Sequence, residues 1–218
     1  IEDDYESRFG NMNTRLDFNQ KRTILNAGLS YTNSDTHAIL DHDAVTYIIK
    51  DKAFDPFKIS KKTGKNTVTG NREDWSTSLG LTQILNKNAL VETGLGFTRS
   101  TGYMENPYKA VSVAFIDPKA QDQENCPEAA KGLRCANIRA LLEQRPDERN
   151  QWTGNLRYVQ HIDALDSALH FGYRIYSDDW GITSHTFDAD WVQPLGKGWA
   201  VTPRVRYYSQ DAANFYTP

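Results

Sequence analysis

The stretch Tyr173–Trp191, YRIYSDDWGITSHTFDADW, alternates apolar and polar side chains on both sides of Asp178-Asp179-Trp180-Gly181. A period of two belongs to an extended strand, and Asp and Gly between two such runs signal a hairpin. With Phe171, the side chains of Tyr173, Ile175, Phe187, Ala189 and Trp191 fall on one face, and Arg174, Tyr176, Asp188 and Asp190 on the other. What each face meets decides the fold.

Outward from this hairpin the same figure recurs. Met12, Leu16 and Phe18 alternate with Asn13, Arg15 and Asp17; after "NQKR", Leu25, Ala27, Leu29 and Tyr31 alternate with Asn26, Gly28 and Ser30. Trp75, Leu79 and Leu81 precede "QILNKN", and Val91, Leu95 and Phe97 follow it, with Glu92 on the opposite side. Trp152, Leu156 and Tyr158 alternate with Asn155 and Arg157 before "HIDALD". Past "PLGKG", Val201, Val205 and Tyr207 alternate with Arg204 and Arg206. Eight strands are predicted. Centring the last hairpin on "PLGKG" sets Asp188 opposite Arg204, and Pro203, which has no N–H for the ladder, predicts a bulge or local break.

Near the strand centres the apolar side carries no Asp, Glu, Lys or Arg, whereas the other side carries Arg15, Asp17, Glu92, Arg157, Arg174, Asp188, Asp190, Arg204 and Arg206. A charge on the lipid face of a membrane barrel costs about 2–4 kcal/mol near the midplane, so the segregation has a physical reason. The strands reach the roughly 9–11 residues that a tilted crossing needs. Trp, Tyr and Phe edge the apolar face as in interfacial girdles. Short turns alternate with long insertions at about residues 35–74 and 102–150, as periplasmic turns alternate with exterior loops. The expected fold is an all-β, antiparallel, up-and-down transmembrane β-barrel in one domain over residues 1–218, with the charged row lining its lumen. Because the first strand would begin outside the cell and the last would end there, the chain reads as a barrel incomplete at both ends, of at least ten strands in total.

Net charge is −3 and 24% of residues are charged, with Lys and Arg spread along the chain, which argues against a nucleic-acid partner. No apolar run reaches the roughly 18 residues of a membrane-crossing helix. Cys126 and Cys135, in ENCPEAAKGLRC, read as a disulfide closing a surface loop in an oxidising compartment. In DTHAILDHD, His37, Asp41, His42 and Asp43 (with Asp35) are weak candidates for a divalent metal, a solvated loop being the plainer reading. Asp178 and Asp179 suit turn capping better than calcium. Ser184 and His185 echo an outer-membrane hydrolase, but neighbours in a strand point to opposite faces. In CANIRALLEQRP, Ile138, Leu141 and Leu142 followed by Pro146 predict a short helix in the second long loop, a plug for the barrel mouth or a contact for a partner. Neither a catalytic motif nor a cofactor is expected, and the protein reads as non-enzymatic.

GYMENPYKAV (102–111), RPDERNQWTGNLRYVQ (145–160) and the run from Ala168 to Tyr216 resemble an uncharacterised bacterial family, domain of unknown function 3570. That resemblance implies an exported outer-membrane barrel protein without an assigned reaction; the family's gene neighbours imply envelope redox work. The loop over residues 35–74 and the cysteine-bearing insertion depart from the family pattern, so no role carries over to them. The expected function is a porin-like channel in the bacterial outer membrane, with membrane lipid and small polar solutes as partners. The alternatives are a structural sleeve or scaffold for an envelope redox protein, and a soluble secreted β-sandwich that binds a carbohydrate or protein.

Overall fold

A computed structural model describes residues 4–40, 59–62, 65–108, 110–116, 136–142 and 144–215. Strands dominate: β1 (Tyr5–Phe18), β2 (Thr23–Ile39), β3 (Ile59–Lys62), β4 (Lys65–Asn86), β5 (Ala89–Gly102), β6 (Ala110–Ile116), β7 (Ala136–Leu142), β8 (Glu148–Ile162), β9 (Ser167–Asp178), β10 (Thr183–Gly196), β11 (Trp199–Val201) and β12 (Arg204–Gln210). The helical content among the described residues is a single 3-10 turn, Asp163–Leu165. One sheet runs β1-β2-β4-β5-β8-β9-β10-β11, with β12 also on β10 and β3 on β4; β6 and β7 form a second sheet. Its long strands follow one another in chain order, the meander that the alternation predicts. Among the described residues β1 pairs with β2 and β12 with β10, so the sheet is open and not closed into a barrel.

Register follows the turns. β9 and β10 pair with Tyr173 opposite Phe187 and Gly172 opposite Asp188, and β8 and β9 with Leu156 opposite Tyr173 and Tyr158 opposite Phe171, so apolar side chains meet apolar ones on one face. The β10–β12 register corrects the sequence expectation: Arg206, not Arg204, lies opposite Asp188, and Arg204 lies opposite Asp190. The turn holds Gly196, Lys197 and Gly198 all at positive φ, which moves its centre one residue along and the register by two. A two-residue slip leaves every side chain on its own face. Pro203 breaks the last strand as expected, between Val201 and Arg204, while its carbonyl accepts the Trp191 N–H at 3.1 Å.

Three loop expectations are corrected. The described residues of the insertion read over 35–74 are mostly strand, because β2 continues to Ile39, β3 spans Ile59–Lys62 and β4 begins at Lys65. The insertion read over 102–150 contains the β6–β7 hairpin, Ala114 opposite Ile138. The helix predicted in CANIRALLEQRP is therefore β7. Seven residues are too few for a helix to repay its nucleation, and AVSVAFI, rich in Val, Phe and Ile, supplies a partner strand.

Contacts divide the chain into two units. The first comprises Ile1–Ser7, Ser34–Arg72 and Gly102–Asp147 and has a small core of Ala38, Leu40, Val68, Tyr103 and Met104. The second comprises Arg8–Asn33, Glu73–Thr101 and Glu148–Pro218, and its described buried apolar residues are Ala89 and Trp180. Its large apolar side chains are instead exposed: Phe9 77%, Met12 74%, Leu95 68%, Trp152 60%, Val205 71%. Tyr31 stacks obliquely on Trp75 (4.6 Å between centroids) and Phe97 on Trp152 (4.4 Å), an aromatic row at one end of that apolar face.

Candidate functional site

The opposite face of the second unit carries the charged groups. On it Glu92 lies opposite Arg157, and the guanidinium Nη1 donates to the Glu92 carboxylate at 3.0 Å. Asp188 accepts from Arg206 Nε at 2.6 Å and from Arg204 Nη2 at 3.1 Å, so one carboxylate serves two arginines. His170, opposite Asp190, donates Nδ1–H to its carboxylate at 2.6 Å. Arg15 is tied within β1 to Asp17 at 2.8 Å. Arg174 lies between Asn155 and Thr186, neither of which carries charge, and among the described residues it has no ion-pair partner. Between these pairs Gly172 floors a depression of about 370 Å³, walled by Arg157, Arg174, Asp188 and Arg204.

One end of this face is closed by the Asp178-Asp179-Trp180-Gly181 turn. The Asp178 side chain is fully buried and accepts from Arg149 Nε and Nη2 (2.9 and 2.6 Å), from the Tyr176 hydroxyl (2.7 Å) and from the Ile182 N–H (2.9 Å). Burial alone raises a carboxyl pKa, but the Tyr176, Arg149 and Ile182 hydrogen bonds outweigh it and hold Asp178 below its ordinary value. Arg149 lies 4.3 Å over the Trp180 ring, whose Nε1–H donates to the Glu148 carbonyl (2.9 Å). Asp179 accepts from the Asn150 N–H (3.0 Å) and amide (2.8 Å). Gly181, at φ 84°, sits where a Cβ would meet Asn214 at 2.2 Å. The oxygens of both aspartates are thus committed to protein donors, and turn capping is their chemistry.

A protein-family model described as "Protein of unknown function (DUF3570)" matches residues 1–218. The chain belongs to that family. No curated protein and no solved structure matches it.

The stretches that carry the resemblance acquire structural reasons in this DUF3570 member. In GYMENPY, Gly102 stands at φ 98° with the Asn71 carbonyl 2.2 Å from where a Cβ would be, and the Tyr103 ring lies against Gly70. Arg145 donates its N–H to Glu105 Oε1 (3.2 Å), and Asn106 Oδ1 accepts the Tyr108 N–H (3.0 Å) across Pro107. Tyr103 to Tyr108 and Arg145 line a 440 Å³ depression in the first unit that periodicity did not flag, because Asp4, Thr36 and Arg72 on three other segments complete it. Sequence reading also missed His170 and Arg149, whose roles depend on cross-strand partners. Of the metal candidates, His37 lies in β2 and donates its backbone N–H to Asp4 (2.7 Å), while Asp41, His42 and Asp43 lie outside the described residues, as do Cys126 and Cys135. Among the described residues no three His, Cys, Asp or Glu side chains form a group that could hold a metal ion. Ser184 and His185 diverge as expected: His185 Nδ1 is bonded to the Tyr173 hydroxyl at 2.8 Å, on the apolar face.

Proposed function

We propose that this chain is wall of a bacterial outer-membrane β-barrel that acts as a porin-like channel. The observation that carries the reading is the second unit's apolar face, exposed from β1 to β12 with nothing among the unit's described residues to cover it. Water-soluble monomers rarely expose contiguous apolar patches beyond a few hundred Å². A bilayer supplies the missing apolar contact, and the aromatic row suits its interface. Strand lengths agree: 14 residues in β1, 14 in β5, 15 in β8 and 14 in β10 exceed the roughly 9–11 of a tilted crossing. The charged face then lines the lumen, where charges set solute selectivity. The Asp-Asp-Trp-Gly turn lies beyond the aromatic row, outside the membrane.

A structural sleeve for an envelope redox partner is the second reading, favoured by the mutual pairing of Arg157 with Glu92 and of Asp188 with Arg204 and Arg206, which needs no open water column. Full-length protein reconstituted in planar bilayers separates the two. Discrete conductance steps support the channel; a protein that inserts, resists extraction and passes no current is the sleeve. Extraction without detergent as a folded monomer points instead to the secreted β-sandwich binding module.

A further inference from the structure

We propose that the depression over Gly172 is a binding site for a small anion with paired oxygens, a carboxylate or phosphate, with Arg174 as its principal ligand. The charge inventory of the face leads there. Near its centre Arg157, Arg174, Arg204 and Arg206 face Glu92, Asp188 and Asp190; Asp190 is spent on His170 and Asp188 is divided between Arg204 and Arg206. Glu92 belongs to Arg157, so among the described residues Arg174 is the arginine of this group without an ion-pair partner. Geometry makes this surplus usable. Gly172 stands directly between Arg157 on β8 and Asp188 on β10, and their ion-pair partners lie on the strands beyond, β5 and β12. The pairs therefore draw their heads outward and leave the glycine bare, with space for a Cβ whose nearest neighbour is Asp188 Cβ at 3.6 Å. The 370 Å³ hollow accommodates an anion of several heavy atoms. Arg174 offers five N–H donors in a fork that matches a carboxylate or phosphate, while the Asn155 amide beside it adds a neutral donor.

The site rests on the proposed barrel only in being assigned to a solute path; anion binding is a property of the sheet face itself. The test is calorimetric titration of the full-length protein in detergent with inorganic phosphate and, separately, succinate, with a β-type circular-dichroism spectrum required of every variant. Wild type is expected to bind at least one of the two saturably, a preference distinguishing phosphate from carboxylate recognition. Arg174→Gln weakens that binding at least tenfold, Arg174→Lys weakens it less, and Gly172→Val, which keeps every charge but fills the hollow, also weakens it at least tenfold. Absence of saturable binding by folded wild type, or binding that survives Arg174→Gln or Gly172→Val, overturns the site. Such a loss in a protein that still conducts leaves the channel standing, whereas anion binding by a protein that never inserts rejects the channel and keeps the site.

Discussion

At the scale of single residues, the most consequential group is Asp178. Its carboxylate neutralises Arg149 and ties β8, β9 and the start of β10 together. Asp178→Asn leaves Arg149 without its buried counter-charge and is expected to lower stability by about 3 kcal/mol, read as a shifted urea midpoint. The pH dependence has a fixed sign. Since folding lowers the Asp178 pKa, its stabilisation is fully present above the ordinary carboxyl value near 4 and is lost as pH falls through the lower folded-state value. Trp180 fluorescence followed from pH 7 to 2 should report this loss in wild type, and Asp178→Asn should show no transition of the same origin. Gly102 offers a second case. Gly102→Ala forces a Cβ onto the Asn71 carbonyl at an unfavourable φ and is expected to cost about 2–3 kcal/mol, detected by faster proteolysis of the GYMENPY segment.

At the scale of elements, the two faces of one strand respond differently to one substitution. Leu95 is exposed on the apolar face of β5, so Leu95→Arg would change the stability of a water-soluble sheet by no more than about 0.5 kcal/mol. In lipid the same change costs about 2–4 kcal/mol. Ser78→Arg, on the polar face of β4, is expected to be nearly neutral in both; folding equilibria measured in phospholipid vesicles distinguish the cases. Strands such as β5, β8 and β9 were legible because period-two alternation is a local property of the chain. β7 was not, since Ile138, Leu141 and Leu142 also satisfy helical spacing and its partner β6 lies far upstream. The Asp188–Arg206 register was illegible for a related reason: it depends on three consecutive positive φ angles in one turn. The charged face could be listed residue by residue, but which of its arginines lacks an ion-pair partner among the described residues emerges only when five strands, β5, β8, β9, β10 and β12, are aligned.

For the whole molecule, the edges of β1 and β12 and the apolar face, unpaired and uncovered among the described residues, predict a strong solvent dependence. Diluted from denaturant into detergent micelles, the protein should remain monodisperse in light scattering; diluted into buffer alone it should aggregate through face and edges. A monodisperse, β-rich species in plain buffer would count against a lipid-facing wall. Strand order has a kinetic consequence as well. β1–β2, β4–β5 and β8 through β12 are joined by tight turns, whereas the β2–β4 and β5–β8 pairings must each close a long intervening segment. Loop-closure entropy grows with the length of the segment, so the local blocks should zip first and the two long-range seams last. Pulsed hydrogen exchange during refolding should therefore protect the β9 and β10 amides before those that bridge β5 and β8, making the stretch from Tyr173 to Trp191 an early nucleus around which the slower seams are joined.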